Sequence, residues 1–92
     1  MIKHIVIWTM KPDVAPEKKE EAKQRLEALK KIIPEINHIE IGIDTENNTM
    51  SLYSEFASFA DLAIYQNHPD HQSAGALIKP LAAERRVSDY VV

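Results

Sequence analysis

Cysteine is absent from this sequence, and glycine occurs only twice in 92 residues. Without cysteine, neither a disulfide framework nor a thiolate metal site can form, and nothing calls for an oxidising compartment, so the cytoplasm is the expected location. The composition contains no low-complexity run and is typical of an ordinary globular protein. One domain spanning residues 1–92 is expected, because this length is too short for two.

Long hydrophobic runs and a basic surface are also missing. The first stretch, IKHIVIWTM, is interrupted by Lys3 and His4 and lacks a small-residue cleavage site. We therefore expect neither a signal peptide nor a membrane span. The formal net charge is −3, and the lysines of residues 18–31 are interleaved with glutamates. Such a chain offers no basic face to phosphate groups, so neither nucleic acid nor a membrane is an expected partner.

Hydrophobic periodicity predicts seven elements in the order β-α-β-β-α-α-β. The predicted strands span residues 2–10, 36–44, 49–57 and 86–92, and the helices span 16–33, 59–68 and 70–79. Pro16 fits a first helical turn, Pro34 ends that helix, and Pro69 separates the two later helices. Ser58 and Asp61 resemble a capping box. The order matches the ferredoxin-like α+β sandwich, in which helices back one face of a four-stranded antiparallel sheet.

The first strand is largely apolar on both of its faces. Ile5 and Ile7 alternate with a second apolar set, namely Ile2, Val6, Trp8 and Met10. Because the helices of this fold cover only one face of the sheet, the other face needs a cover. A second copy of the chain supplies it most simply, since two such sheets packed together close into a dimeric α/β barrel. The sequence therefore predicts a homodimer.

Residues 65–72, YQNHPDHQ, contain the strongest candidates for chemistry. On a continuous helix Tyr65 and His71 would lie about 240° apart, so only the break at Pro69 could bring them together. His71 would then occupy a first helical turn, where the dipole disfavours imidazolium and keeps the ring neutral as a base. Tyr65 could donate a hydrogen bond to an enolate or carbonyl oxygen, and His4 could orient either group.

Four segments of the chain, IKHIVIWTMK, IIPEI, YQNHPDHQ and SDYVV, together resemble the stress-responsive dimeric α/β barrel (Dabb) family. The resemblance covers nearly the whole chain and implies the dimeric ferredoxin-like barrel. Most members are small proteins without an established activity. One plant member, olivetolic acid cyclase, performs aldol chemistry without metal or cofactor, using a tyrosine and the second histidine of its His-Pro-x-His. Those catalytic roles fall on Tyr65 and His71 here.

The resemblance does not extend to the substrate of that cyclase. Lys23, Leu26 and Met50 stand where its pocket carries two aromatic residues and a further histidine. A different small apolar or carbonyl-containing molecule is therefore expected between the helices and the sheet. The residues predicted to contact it, besides the catalytic candidates, are His4, Leu26, Leu52 and His68. No cofactor is expected.

Three other interpretations remain open at this stage. In the first, the motif only builds a helix junction, with His68 as an N-cap and Tyr65 as a wall residue, while His4 is a hydrogen-bonded core residue. In the second, His68 and His71 bind zinc with Asp70 or His4, although the spacing lacks a third fixed ligand. In the third, the chain is a non-catalytic dimeric scaffold. A cavity that reaches Tyr65 and His71 would argue against the first and third interpretations.

Overall fold

Four antiparallel strands form one sheet, and three helices cover one of its faces, in the computed structural model, which describes residues 1–92. The elements are β1 (Ile2–Met10), α1 (Pro16–Ile32), β2 (His38–Asp44), β3 (Thr49–Phe56), α2 (Phe59–Asn67), α3 (Pro69–Ile78), one 3₁₀ turn (Lys79–Leu81) and β4 (Ala82–Val91). The strand order is β2-β3-β1-β4, so the predicted ferredoxin-like α+β fold is confirmed. None of the helices is long and apolar enough to cross a membrane.

Local sequence signals set the helix boundaries to within about one residue of the prediction; α3 begins at Pro69 rather than Asp70. Pro16 is the first residue of α1, where its missing N–H costs no hydrogen bond. The Ser58 hydroxyl accepts a hydrogen bond from the Asp61 N–H at 3.1 Å and begins α2. His68 has an extended backbone, with φ −67° and ψ 135°, and Pro69 follows it as the first residue of α3. Two short helices therefore meet at a sharp junction rather than forming one long helix.

The core lies between the helices and the face of the sheet that they cover. Alternation along β1 directs Ile2, Val6, Trp8 and Met10 toward the helices, and all four are buried. The predicted apolar stripe of α1 packs against them, and its members Ala22, Leu26, Leu29 and Ile33 are buried as well. Only two polar residues are buried, His4 and Ser54. The Ser54 hydroxyl donates to the His4 carbonyl at 3.2 Å.

The last strand begins earlier than the sequence indicates, and the predicted start at Arg86 is wrong. The 3₁₀ turn carries the chain directly to β1, where the Lys11 N–H donates to the Leu81 carbonyl at 2.8 Å. Pairing then starts with Ala82 opposite Met10 and continues past a bulge. The segment AAER has no apolar alternation, so its pairing depends on the neighbouring strand and not on its own pattern. One consequence is that Arg85, opposite Trp8, lies on the helix side of the sheet.

The other face of the sheet has no helix over it. Ile5 and Ile7 lie near its centre, and the side chain of Ile7 is 42% exposed. The neighbouring strands make this face more polar than β1 alone indicates. The Tyr53 hydroxyl donates to the Glu55 carboxylate, and the Lys3 ammonium lies 5.5 Å from the centre of the Tyr53 ring. We call this surface the open face.

Candidate functional site

A cavity of about 450 Å³ lies between the covered face of the sheet and the helices. Its apolar wall includes Val6, Trp8, Leu26 and Leu52. The exposed residues Lys79, Glu84 and Arg85 complete the lining on the solvent side. The volume and the mostly apolar wall are typical of sites for small organic molecules.

Tyr65 and His71 meet in the wall of this cavity. Their ring centres are 4.3 Å apart, with the ring planes inclined at 48°. The two rings come together because the extended backbone of His68 turns the chain between α2 and α3. On one continuous helix the two side chains would point in different directions. The break at Pro69 thus brings the two side chains together, and any chemistry that uses both depends on it.

His71 presents a free ring nitrogen. Its Nδ1 donates a hydrogen bond to the Gln66 carbonyl at 3.1 Å, which assigns the proton of the neutral ring to Nδ1 and the lone pair to Nε2. Burial lowers the pKa of His71 below the ordinary value of 6.5; the hydrogen bond to the Gln66 carbonyl acts against it, and the Arg85 guanidinium acts with it. The neutral ring is therefore favoured at pH 7, and the cause is burial rather than the helix dipole on which the prediction relied.

Tyr65 is a buried hydrogen-bond donor without an acceptor. Its side chain is fully buried, and its hydroxyl has no hydrogen-bond partner in the protein. Burial raises the pKa of this hydroxyl well above its ordinary value of 10.0, so it stays protonated. An unpaired buried hydroxyl costs about 1–3 kcal/mol of stability. The oxygen has almost no exposed surface, so a ligand atom reaches it only by displacing a wall atom.

His4 is held by a carboxylate from the last strand. Its Nδ1 bonds to the Asp89 carboxylate across the β1–β4 pair, and the side chain is only 2% exposed. The ring lies roughly edge-on to Tyr65, with centres 6.1 Å apart, and to Phe56 at 6.4 Å. Asp89 is absent from the residues that the sequence singled out for the site. Its alternation with Val87 and Val91 is visible in the sequence, but only the pairing of Asp89 with His4 across β4 and β1 places the two side chains on one face.

The predicted site residues do not all gather at the cavity. His4, Leu26, Leu52, Tyr65 and His71 line it. His68 does not, because its Nδ1 accepts a hydrogen bond from the Asp70 N–H at 3.1 Å and caps α3. That is the capping role which the junction interpretation assigned to it. No group of three histidine, aspartate or glutamate side chains has the arrangement of a metal site.

The pKa shift of His71 predicts a pH dependence of stability. Because the folded pKa is depressed, the unfolded chain binds the proton first, and the free energy of unfolding should fall as the pH decreases below 6.5. Above that pH the contribution is fully present. Urea denaturation between about pH 5.5 and 8 measures the slope. His71→Gln should flatten it in this window, whereas His38→Gln, on the open face, should not. An unchanged slope in the His71 variant would contradict the assignment.

The four-stranded sheet and the helices on one of its faces define a ferredoxin-like α+β domain. The chain belongs to the Stress responsive A/B Barrel Domain (Dabb) family, whose profile matches residues 2–92. This confirms the resemblance drawn from the four sequence segments. No curated protein matches the chain in sequence.

Solved structures with the same fold include bacterial and plant proteins. A dimeric protein of unknown function from Bacteroides fragilis is 32% identical, with a TM-score of 0.84, 99% of this chain covered and 95% of that one. A protein from Arabidopsis thaliana is 28% identical, with a TM-score of 0.87 and coverages of 100% and 95%. The hydroxynitrile lyase of Passiflora edulis has a TM-score of 0.87 over 99% and 92% of the chains, but at 20% identity it shows the fold alone.

Proposed function

We propose that this domain forms a homodimer in the cytoplasm and that each protomer binds a small, largely apolar carbonyl compound in its cavity. One observation carries the proposal: an unpaired, protonated Tyr65 hydroxyl lies beside the neutral His71 in the wall of an apolar cavity. Buried polar groups are nearly always hydrogen-bonded, and the exceptions call for an explanation. A ligand carbonyl oxygen would supply the missing acceptor. The scaffold interpretation leaves the cost of this hydroxyl unexplained.

A second candidate function follows from the same two side chains, namely proton transfer without a cofactor. His71 Nε2 would remove a proton from the carbon next to the ligand carbonyl, forming imidazolium. The C–H electron pair would become the enolate C=C bond while the carbonyl electrons move to oxygen, where the Tyr65 hydroxyl donates a hydrogen bond. Return of the proton from His71 to carbon would complete an exchange. An aldol or lyase step would begin from the same enolate.

Ligand binding is tested with a neutral aryl ketone, 3-benzoylpropanamide, added to isotopically labelled protein and followed by NMR. Saturable shifts at Tyr65, His71 and Leu52, with none on the open face, are the expected result. Native mass spectrometry of the freshly purified protein would at the same time show the subunit count and any retained molecule. An absence of shifts at about millimolar probe would favour the non-catalytic scaffold.

Support for the homodimer comes from the open face and from the structural relatives. Similar proteins from Bacteroides fragilis, Thermobifida fusca and Jannaschia are described as dimeric and ferredoxin-like. On the open face, Ile5 and Ile7 form an apolar centre within a polar surround that includes Lys3 and Glu55. An apolar centre with a polar rim is the usual arrangement of a stable interface.

Replacing Ile7 with lysine should dissociate the dimer. In a two-fold interface each substitution occurs twice, so two unpaired ammonium groups would be buried near the same axis. We expect the dissociation constant to rise by about a hundredfold or more, measured by sedimentation equilibrium. Ile64→Lys is the control, because Ile64 is similarly exposed, 48% against 42%, but lies on α2. Equal dimerisation of both variants and the wild type would place the interface elsewhere.

A further inference from the structure

We propose that Arg85 makes the cavity selective for ligands that carry a carboxylate at one end, so that the bound molecule is an oxo acid with an apolar body. This inference rests on the proposed function and specifies its substrate class. The residue was not among those that the sequence singled out, because the strand that places it beside the cavity begins earlier than predicted.

Arg85 is a cation with no partner in the protein. It lines the cavity from β4 on the helix side of the sheet, directly opposite Trp8. The ion pairs of the structure involve other residues, and neither Arg85 nor the neighbouring Lys79 takes part in one. The next residue, Arg86, shows the contrast: it lies on the open face and its Nε donates to the Glu84 carboxylate at 3.1 Å.

The carboxylate that lines the cavity and the carboxylate that holds its lining histidine are both already engaged. Glu84 is bonded to Arg86, and Asp89 is bonded to His4. His71 is neutral at pH 7 and adds no charge of its own. Lys79 and Arg85 therefore give the solvent side of the cavity an excess of positive charge, although the whole chain carries a formal charge of −3. A local charge opposite to that of the whole chain attracts an anion to this one place.

The position of Arg85 relative to the reactive pair specifies where the charged end of the ligand lies. Arg85 lines the same cavity as Tyr65 and His71, and its positive charge acts to lower the pKa of both, against the larger effect of burial on Tyr65. The planar guanidinium matches a carboxylate through two parallel hydrogen bonds, which the ammonium of Lys79 cannot reproduce. A ligand with its carboxylate on Arg85 would direct its carbonyl toward Tyr65 and its apolar body toward Leu26 and Leu52.

Two probes that differ only in charge test the inference: 3-benzoylpropanoate and its neutral amide, titrated into the homodimer by calorimetry. The wild type should bind the acid at least about tenfold more tightly than the amide. Arg85→Gln should reduce this preference to about twofold or less, mainly by weakening the binding of the acid. Arg25→Gln is the matched control, because the Arg25 guanidinium bonds to Ser73 outside the cavity lining, and it should keep the full preference. Added salt should weaken only the acid.

The outcomes separate this inference from the proposed function. Equal affinities for acid and amide in the wild type would overturn the role of Arg85 while leaving the cavity as a carbonyl site. Equal losses in the Arg85 and Arg25 variants would also overturn it, because they would indicate general surface charge. Arg85→Lys should recover only part of the preference if the planar fork matters. Binding of neither probe would overturn the cavity as a ligand site, and the inference with it.

Discussion

Replacing His71 with glutamine should lower the rate at which the protein exchanges the protons next to the ketone of 3-benzoylpropanamide for deuterium by about 10²–10⁴-fold. Glutamine is close in size to histidine but has no basic lone pair corresponding to Nε2. The measurement is the loss of the proton NMR signal in deuterium oxide, followed with and without protein.

His38→Gln is the control for the His71 experiment. His38 is exposed on the open face, where its Nε2 bonds to Glu40 at 3.0 Å, far from the cavity lining. This variant should retain the wild-type rate. Wild-type protein that exchanges no faster than buffer would rule out the proton-transfer function but not ligand binding. Equal losses in both histidine variants would indicate non-specific catalysis by surface imidazoles.

The proximity of Tyr65 and His71 is the part of the site that the sequence predicts best. Pro69 cannot continue the hydrogen bonding of a helix and biases His68 toward an extended backbone. Both effects act within a few residues, so they can be read from the chain itself. The ring-to-ring distance of 4.3 Å is a different matter, since it depends on the depth at which α2 and α3 pack against β1.

The contributions of β4 could not be read from local pattern. β4 supplies Asp89, which bonds to His4, and Arg85, which lines the cavity. Both are about 80 residues away from β1 in the chain, and only the strand register places them. A shift of one residue would have directed both side chains to the open face. The charged segment before Val87 has no strand-like alternation, so pairing with β1, and not intrinsic preference, specifies its conformation.

His71 and Tyr65 are both kept in states that cost folding free energy. Burial makes protonation of His71 unfavourable, and it leaves the Tyr65 hydroxyl without an acceptor. A chain optimised only for stability would fill these positions with apolar residues of similar shape. Two such costs side by side in the wall of one cavity are typical of sites where function conflicts with stability.

Tyr65→Phe should therefore slow the exchange reaction and stabilise the fold at the same time. Loss of the donor should reduce the rate by about 10²–10³-fold, as for other groups that stabilise a developing oxyanion. Removal of the unpaired hydroxyl should raise the free energy of unfolding by about 1 kcal/mol, or the melting temperature by about 4–8 °C. Tyr53→Phe is the control, because its hydroxyl donates to Glu55 and its loss should not stabilise the protein.

The free energy of unfolding should rise in Tyr65→Phe and not in Tyr53→Phe, and this difference makes the experiment decisive. A destabilised Tyr65→Phe protein would mean that the hydroxyl has a partner in solution, and the argument for a ligand carbonyl would then lose its basis. A stabilised variant with an unchanged exchange rate would restrict catalysis to His71. Stabilisation together with a slower rate would mean that the folded chain bears the cost of a buried donor because the enolate oxygen is its acceptor.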